Sequence, residues 1–79
     1  MALSAYVLID IAGNKAKKVF KALSGLDGVK SVNAVTGPYD MIAHVEASDI
    51  NGLGNMVLSK IQGVDGVKKT ITCVVVEIT

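Results

Sequence analysis

Gly37-Pro38-Tyr39-Asp40 puts a carboxylate, a phenol and a short glycine backbone into one link between two apolar runs, in TGPYDMIAHVEA. Tyr39 and Asp40 are candidates to handle a ligand. The same four letters are also sound turn chemistry with no ligand at all. The chain's other reactive groups are few. His44 is the only histidine and Cys73 the only cysteine. A general base needs a nucleophile or substrate group within reach, and nothing pairs His44 with one, so a hydrogen-bonded strand histidine is expected. Cys73 lies in a valine-rich run and is expected to pack as a small core residue. These two soft ligands have no partners at metal-binding spacing, so neither a metal nor a cofactor is expected. Lys15, Lys17, Lys18 and Lys21 crowd one short segment, which reads as a solvated helix face. With a net charge of +1 and no arginine, the chain lacks the basic surface that direct nucleic-acid binding requires.

These groups must be positioned by 79 residues, enough for a single domain over 1–79. With 51% apolar residues the chain is not disordered. A domain of this size buries only about 60% of its unfolded surface and gains stability from staples or partners. One cysteine forbids an internal disulfide, which leaves oligomerisation. Residues 1–5 lack the charged start of a secretory signal, and no apolar run reaches the length of a membrane span. An unpaired thiol suits a reducing cytoplasm, the expected location.

Residues 4–11, SAYVLIDI, form the first expected strand. Asn14 is the expected cap of a helix over 15–24, with Ala16, Val19, Phe20 and Leu23 at helical spacing. Gly25 ends it, and Asp27-Gly28 turns into a second strand over 29–35. A third strand over 40–47 follows the short Gly-Pro-Tyr-Asp link, as an antiparallel hairpin. Ser48 is the expected cap of a second helix, whose stripe is Ile50, Leu53, Val57 and Ile61 and which Gly52 and Gly54 weaken. Gly63 stops it, and a fourth strand covers 67–78. GLDGVK at 25–30 returns as GVDGVK at 63–68, at the same point of each half. Two split βαβ units predict an α+β, ferredoxin-like sandwich: a four-stranded antiparallel sheet with both helices on one face.

Two helices cover one face of a sheet about 19 Å across and no more. Yet Tyr6 and Leu8 alternate with Val7, Ile9 and Ile11, and Ile71, Cys73 and Val75 with Val74, Val76 and Ile78. Runs apolar on both faces imply burial on both. A second copy laid face to face is the economical cover, so a homodimer is expected.

This order of elements, with Val-x-x-Val…Thr-Gly-x-Tyr-Asp at 29–40 and Gly-Val-x-x-Thr-x-Thr at 66–72, resembles the effector domain of the Lrp/AsnC regulators, the regulation-of-amino-acid-metabolism domain. The resemblance runs from about Ala5 to Ile78. It implies a dimeric α/β barrel, assembly of dimers into larger rings such as octamers, and an amino-acid effector held between dimers. Members with a helix-turn-helix contact DNA. No such segment lies in these residues, so a stand-alone effector domain is expected, acting alone or through full-length regulators. By resemblance Gly37, Tyr39 and Asp40 line the effector site, and Thr70 and Thr72 reach it from a neighbouring copy.

The chemistry of those positions suits a zwitterion. Asp40 can accept from an ammonium, while loop N–H groups and the two threonine hydroxyls can donate to a carboxylate. Tyr39 offers a ring and a hydroxyl to the effector's side chain. Gly37 permits close approach, and Pro38 stiffens the loop at the cost of one donor. Other readings stand beside this one. Dimeric barrels of this kind also host small enzymes such as monooxygenases, although one histidine without an acid or base partner argues against catalysis. ACT-type amino-acid-binding domains share the element order, and a purely structural oligomer would leave the loop as a turn.

Overall fold

The computed structural model describes residues 2–78. In chain order the elements are β1 (Leu3–Ile11), α1 (Ala16–Ser24), β2 (Val29–Ala34), β3 (Met41–Ala47), α2 (Ile50–Asn55), a π-helical continuation (Met56–Ile61) and β4 (Val67–Val74). The strands lie in the order β2-β3-β1-β4, every neighbouring pair antiparallel. Each half is therefore a split βαβ unit, the ferredoxin-like sandwich that the repeat predicts. No helix among the described residues is long and apolar enough to cross a membrane.

The core fills the space between sheet and helices. Ala5, Val7 and Ile9 of β1 and Met41, Ala43 and Val45 of β3 meet Val19 and Leu23 of α1, and Leu53, Met56, Val57 and Ile61 of the second helical stretch. A fully buried side chain of the larger kinds gains roughly 1.5–3 kcal/mol by leaving water. Ordering each backbone residue costs about 1–2 kcal/mol, so a core this small leaves little margin.

Several expected details differ. Asn14 does not cap α1: it stays in the turn after Gly13, and Lys15 takes the cap position without a side-chain hydrogen bond. Of the expected α1 stripe only Val19 and Leu23 are buried. Phe20 is exposed, because nine residues present just one narrow row to the sheet. Asp49, not Ser48, caps α2, its carboxylate accepting from Gly52 N at 2.7 Å, the usual reach from cap to third residue. The second helix is not uniform. After Gly52 and Gly54 it widens, and Gln62 N donates to Val57 O five residues back. This wider turn lets Met56, Val57 and Ile61 all face the sheet while Ile50 is left outside. β4 stops at Val74 instead of running to 78: its last pairing is with Ala5, and β1 extends only two residues further, to Leu3, too short to partner a strand to 78. Val75 N still donates to Ser4 O, and Val76 and Ile78 beyond it are exposed.

The face away from the helices has no cover. Strand pairing puts Tyr6, His44 and Cys73 in one row across it, and Leu8, Ile42 and Ile71 in the next. Polar residues flank them: Ser31 and Asn33 on β2, Glu46 on β3, and Asp10 and Lys69 where β1 meets β4.

Candidate functional site

β1 outruns β3 at one end, since its last partner there is Met41, opposite Ile9. Asp40 fills the gap. Its N–H donates to Ile9 O at 3.0 Å, its carbonyl accepts from Val35 N at 3.1 Å, and Oδ2 accepts from Ile11 N at 2.8 Å. The link between β2 and β3 is thus fastened at both ends to the sheet, and the Ile11 N–H, which lies beyond the last β3 partner, is met by the Asp40 side chain. One carboxylate oxygen of Asp40 is committed to this bond. The other has no hydrogen-bond partner among the described residues, and the side chain stays exposed.

Behind the loop opens a groove of about 420 Å³, lined by Leu8, Val35, Thr36, Gly37, Pro38, Tyr39 and Ile42. Leu8 and Ile42 are direct cross-strand partners, so the groove lies on the helix-free face. Its size falls within the usual range for small-molecule sites. Gly37 is exposed, and a Cβ added there would meet nothing within 4 Å. The fold itself does not demand glycine at that position.

Thr70 and Thr72 lie elsewhere. They pair with Ile9 and Val7, whose side chains are in the core, so both threonines share the helix side of the sheet. There they border a second groove of about 390 Å³, with Leu53, Gly54, Val57, Leu58 and Gln62 on its other wall. Gln62 Nε2 donates to Thr70 Oγ1 at 2.8 Å. Within one chain the structure does not bring the threonines to Asp40. A site that joins them needs the second copy from which the resemblance draws them.

His44 is not tied by the expected hydrogen bond. Its ring stacks on Tyr6, centroids 4.9 Å apart and planes 21° from parallel. Cys73 is not a core residue either: it is exposed on the helix-free face, because alternation along β4 gives the covered side to Thr72 and Val74. No cluster of three metal-binding side chains exists among the described residues. Of the lysines in and just before α1, Lys18 and Lys15 bind Asp65 at 2.8 and 3.2 Å. The hydrogen bond from Lys18, then that from Lys15, hold the Asp65 carboxyl below its ordinary value.

Three contributions were not singled out from the sequence. Gln62 holds Thr70, Val35 lines the loop groove, and the Ile11 N–H occupies Asp40. Leu8 and Ile42 were legible as residues of the second face but not as the floor of a groove. No sequence spacing joins Gln62 to Thr70, since the turn between them sets that reach.

The Lrp/AsnC ligand binding domain model matches residues 4–79. The homocitrate synthase of Sulfurisphaera tokodaii is 41% identical over 59 residues, which is 75% of this chain and 13% of that enzyme. The chain thus spans only a small part of the curated relatives it matches. The crystal structure of TTHA0845 from Thermus thermophilus superposes with a TM-score of 0.91 at 34% identity, covering 98% of this chain and 96% of that one. A Neisseria meningitidis transcriptional regulator, solved as a complex with L-Met, has a TM-score of 0.85 at 23% identity. The match covers 95% of this chain and 50% of the regulator, and at that identity it speaks for the fold alone.

Proposed function

The chain belongs to the Lrp/AsnC ligand-binding domain family, and on that premise we propose that it is a regulatory module that senses a free amino acid and performs no catalysis. The observation that carries this is the loop at 37–40, latched to β1 at the mouth of a groove while one oxygen of its carboxylate stays open. The effector's ammonium meets Asp40. Its carboxylate takes loop N–H groups from Gly37 or Tyr39 and hydroxyls from Thr70 and Thr72 of a neighbouring copy. Thr70 Oγ1 already accepts from Gln62, which leaves its own proton free to donate.

The assembly in this reading is a homodimer closed over the row Tyr6, His44 and Cys73, with further association of dimers bringing the threonines to the loop. The module acts in the cytoplasm by altering the assembly of partner regulators, without touching DNA itself. The homocitrate synthase match supports a second setting, in which a module of this kind regulates an enzyme to which it is joined instead of a promoter.

The test is a thermal-shift screen against the twenty L-amino acids, with Asp40→Asn in parallel. Asparagine keeps an oxygen for Ile11 N and removes the charge. A ligand at about 100 times its Kd adds about 2.7 kcal/mol, or roughly 10–20 °C in a domain of this size. A shift with one or a few amino acids, abolished in Asp40→Asn, is the expected result. No shift with any of them at millimolar concentration would sink the reading.

A further inference from the structure

One imidazole stands in the middle of the face that the proposed homodimer closes. His44 is half-buried on β3, with Tyr6 of β1 on one side, Ser31 of β2 on the other, and Cys73 of β4 beyond Tyr6 in the same row. The next row, Leu8, Ile42 and Ile71, is apolar. The ring stacks on Tyr6 at 4.9 Å, and no salt bridge holds it among the described residues. The charged groups of this face stand toward its ends. Glu46 of β3 pairs with Lys30 of β2 at 3.8 Å, and Asp10 of β1 is the cross-strand partner of Lys69 of β4. Glu77 lies past the end of β4. Tyr6 and Cys73 are the other titratable groups in the row. The helices lie on the opposite face and present none.

We propose that His44 makes closure of the dimer sensitive to pH, so that mild acid opens the pair; this rests on the homodimer of the proposed function. Histidine is the side chain whose charge changes between about pH 5 and 8. In the separate chain water reaches the half-exposed ring and can hydrate its charged form. Closure removes that water, which costs the neutral ring little and the imidazolium much, unless a carboxylate replaces the water. The row holds no carboxylate. Glu46 and Asp10 each have a lysine beside them, and Glu77 lies beyond the strand pairing. A second copy related by a twofold axis brings the same set of groups, and with it a second imidazole of like charge. The Tyr6 stack is present before and after closure, so it does not decide the difference. The dimer thus favours the neutral ring: it holds above the titration range of His44 and weakens as pH falls through that range.

The experiment is sedimentation equilibrium of the full chain between pH 7.5 and 5.5, with His44→Phe in parallel. Phenylalanine keeps a ring for Tyr6 and cannot take a proton. The dimer Kd of the parent should rise about tenfold for each imidazole that must give up its proton, so about a hundredfold for the pair over this range. His44→Phe should change by less than about threefold. Because His44 is the only histidine, its proton resonance needs no assignment, and its NMR titration midpoint should fall as the protein is concentrated from monomer to dimer. A dimer whose Kd is unchanged or tighter at pH 5.5 would overturn the switch and leave the homodimer standing. Equal acid sensitivity in His44→Phe would overturn it as well, by placing the effect on the carboxylates. If His44→Phe fails to dimerise, the parent's resonance decides: a midpoint that does not depend on protein concentration overturns the proposal. A chain that stays monomeric at millimolar concentration at every pH would overturn both the switch and the homodimer.

Discussion

The two repeated stretches, 25–30 and 63–68, build the same turn and then serve different neighbours. In the first, Leu26 N donates to Leu23 O and Val29 N to Leu26 O. In the second, Val64 N donates to Ile61 O and Val67 N to Val64 O, all within 3.1–3.2 Å. Gly28 and Gly66 both take positive φ, 88° and 106°. Both offer their carbonyls across, Gly28 O to Glu46 N and Gly66 O to Ala12 N. The neighbours, however, are exchanged between halves. Gly66 of the second half lies against Val19 and Lys15 around α1, while Gly28 of the first half lies against Met56 of the π-helical segment and the Glu46 carbonyl. Each turn is the seat for the other half's helix. The copies part at their aspartates: Asp65 gathers Lys15 and Lys18, and Asp27 has no salt bridge among the described residues. The shared part holds the halves together. The unshared parts are the widened helix and the loop at 37–40, and these border the two grooves.

The sharpest way to break that comparison is to add a methyl group to each turn. Gly28→Ala and Gly66→Ala should each cost about 2–4 kcal/mol, from the left-handed backbone and the crowding together. Gly28→Ala should cost more. Its new Cβ would meet the Glu46 carbonyl, a sheet atom that cannot give way, at 2.9 Å, whereas at Gly66 the closest atoms belong to side chains. Denaturant midpoints measure both, and equal losses would mean that φ alone sets the cost.

A smaller effect separates the aspartates. Asp65→Asn should lower the melting temperature at neutral pH, and Asp27→Asn should leave it unchanged. The Asp65 carboxyl is held below its ordinary 3.8, so its contribution is present above that value and is lost as pH falls through the lower folded value. The gap between parent and Asp65→Asn should therefore close in strong acid. Because the pair is exposed, it should also shrink in high salt. A gap that survives both would show that packing, not charge, is at issue.

The smallest effect on stability is expected at Gly37, the glycine that lies in neither turn. Gly37→Ala should melt with the parent, since the new methyl meets open space. It should still weaken effector binding if the ligand approaches that backbone. A loss of stability in this variant would return the loop to a plain structural turn.

Much of the architecture was legible because it is written in periods. Alternation along β1, β3 and β4 gave the covered face and the open one, and the GLDGVK repeat gave the order of elements. Features set by the meeting of distant segments were not legible. The end of β4 depends on where β1 begins, the widening after Asn55 depends on what must face the sheet, and the exposure of Cys73 depends on which face the helices choose. The loop at 37–40 was readable as a candidate ligand site from its residue types. That Thr70 and Thr72 lie on the opposite face from it follows from register, which emerges only when the strands pair.

Asp40 settles when the loop becomes ordered. Its bonds to Ile9, Ile11 and Val35 form as the sheet forms, before any effector arrives. Fixing a residue's backbone costs on the order of 1–2 kcal/mol, so holding four loop residues in place is a burden already borne by folding. Under the proposed function an arriving ligand would find the loop arranged, and its contacts would go to affinity and not to taming a wandering segment. The same arrangement has a converse. Whatever loosens the end of β1 around Ile11 would return that entropy to the loop, and under the proposed function effector binding would weaken before the fold is lost.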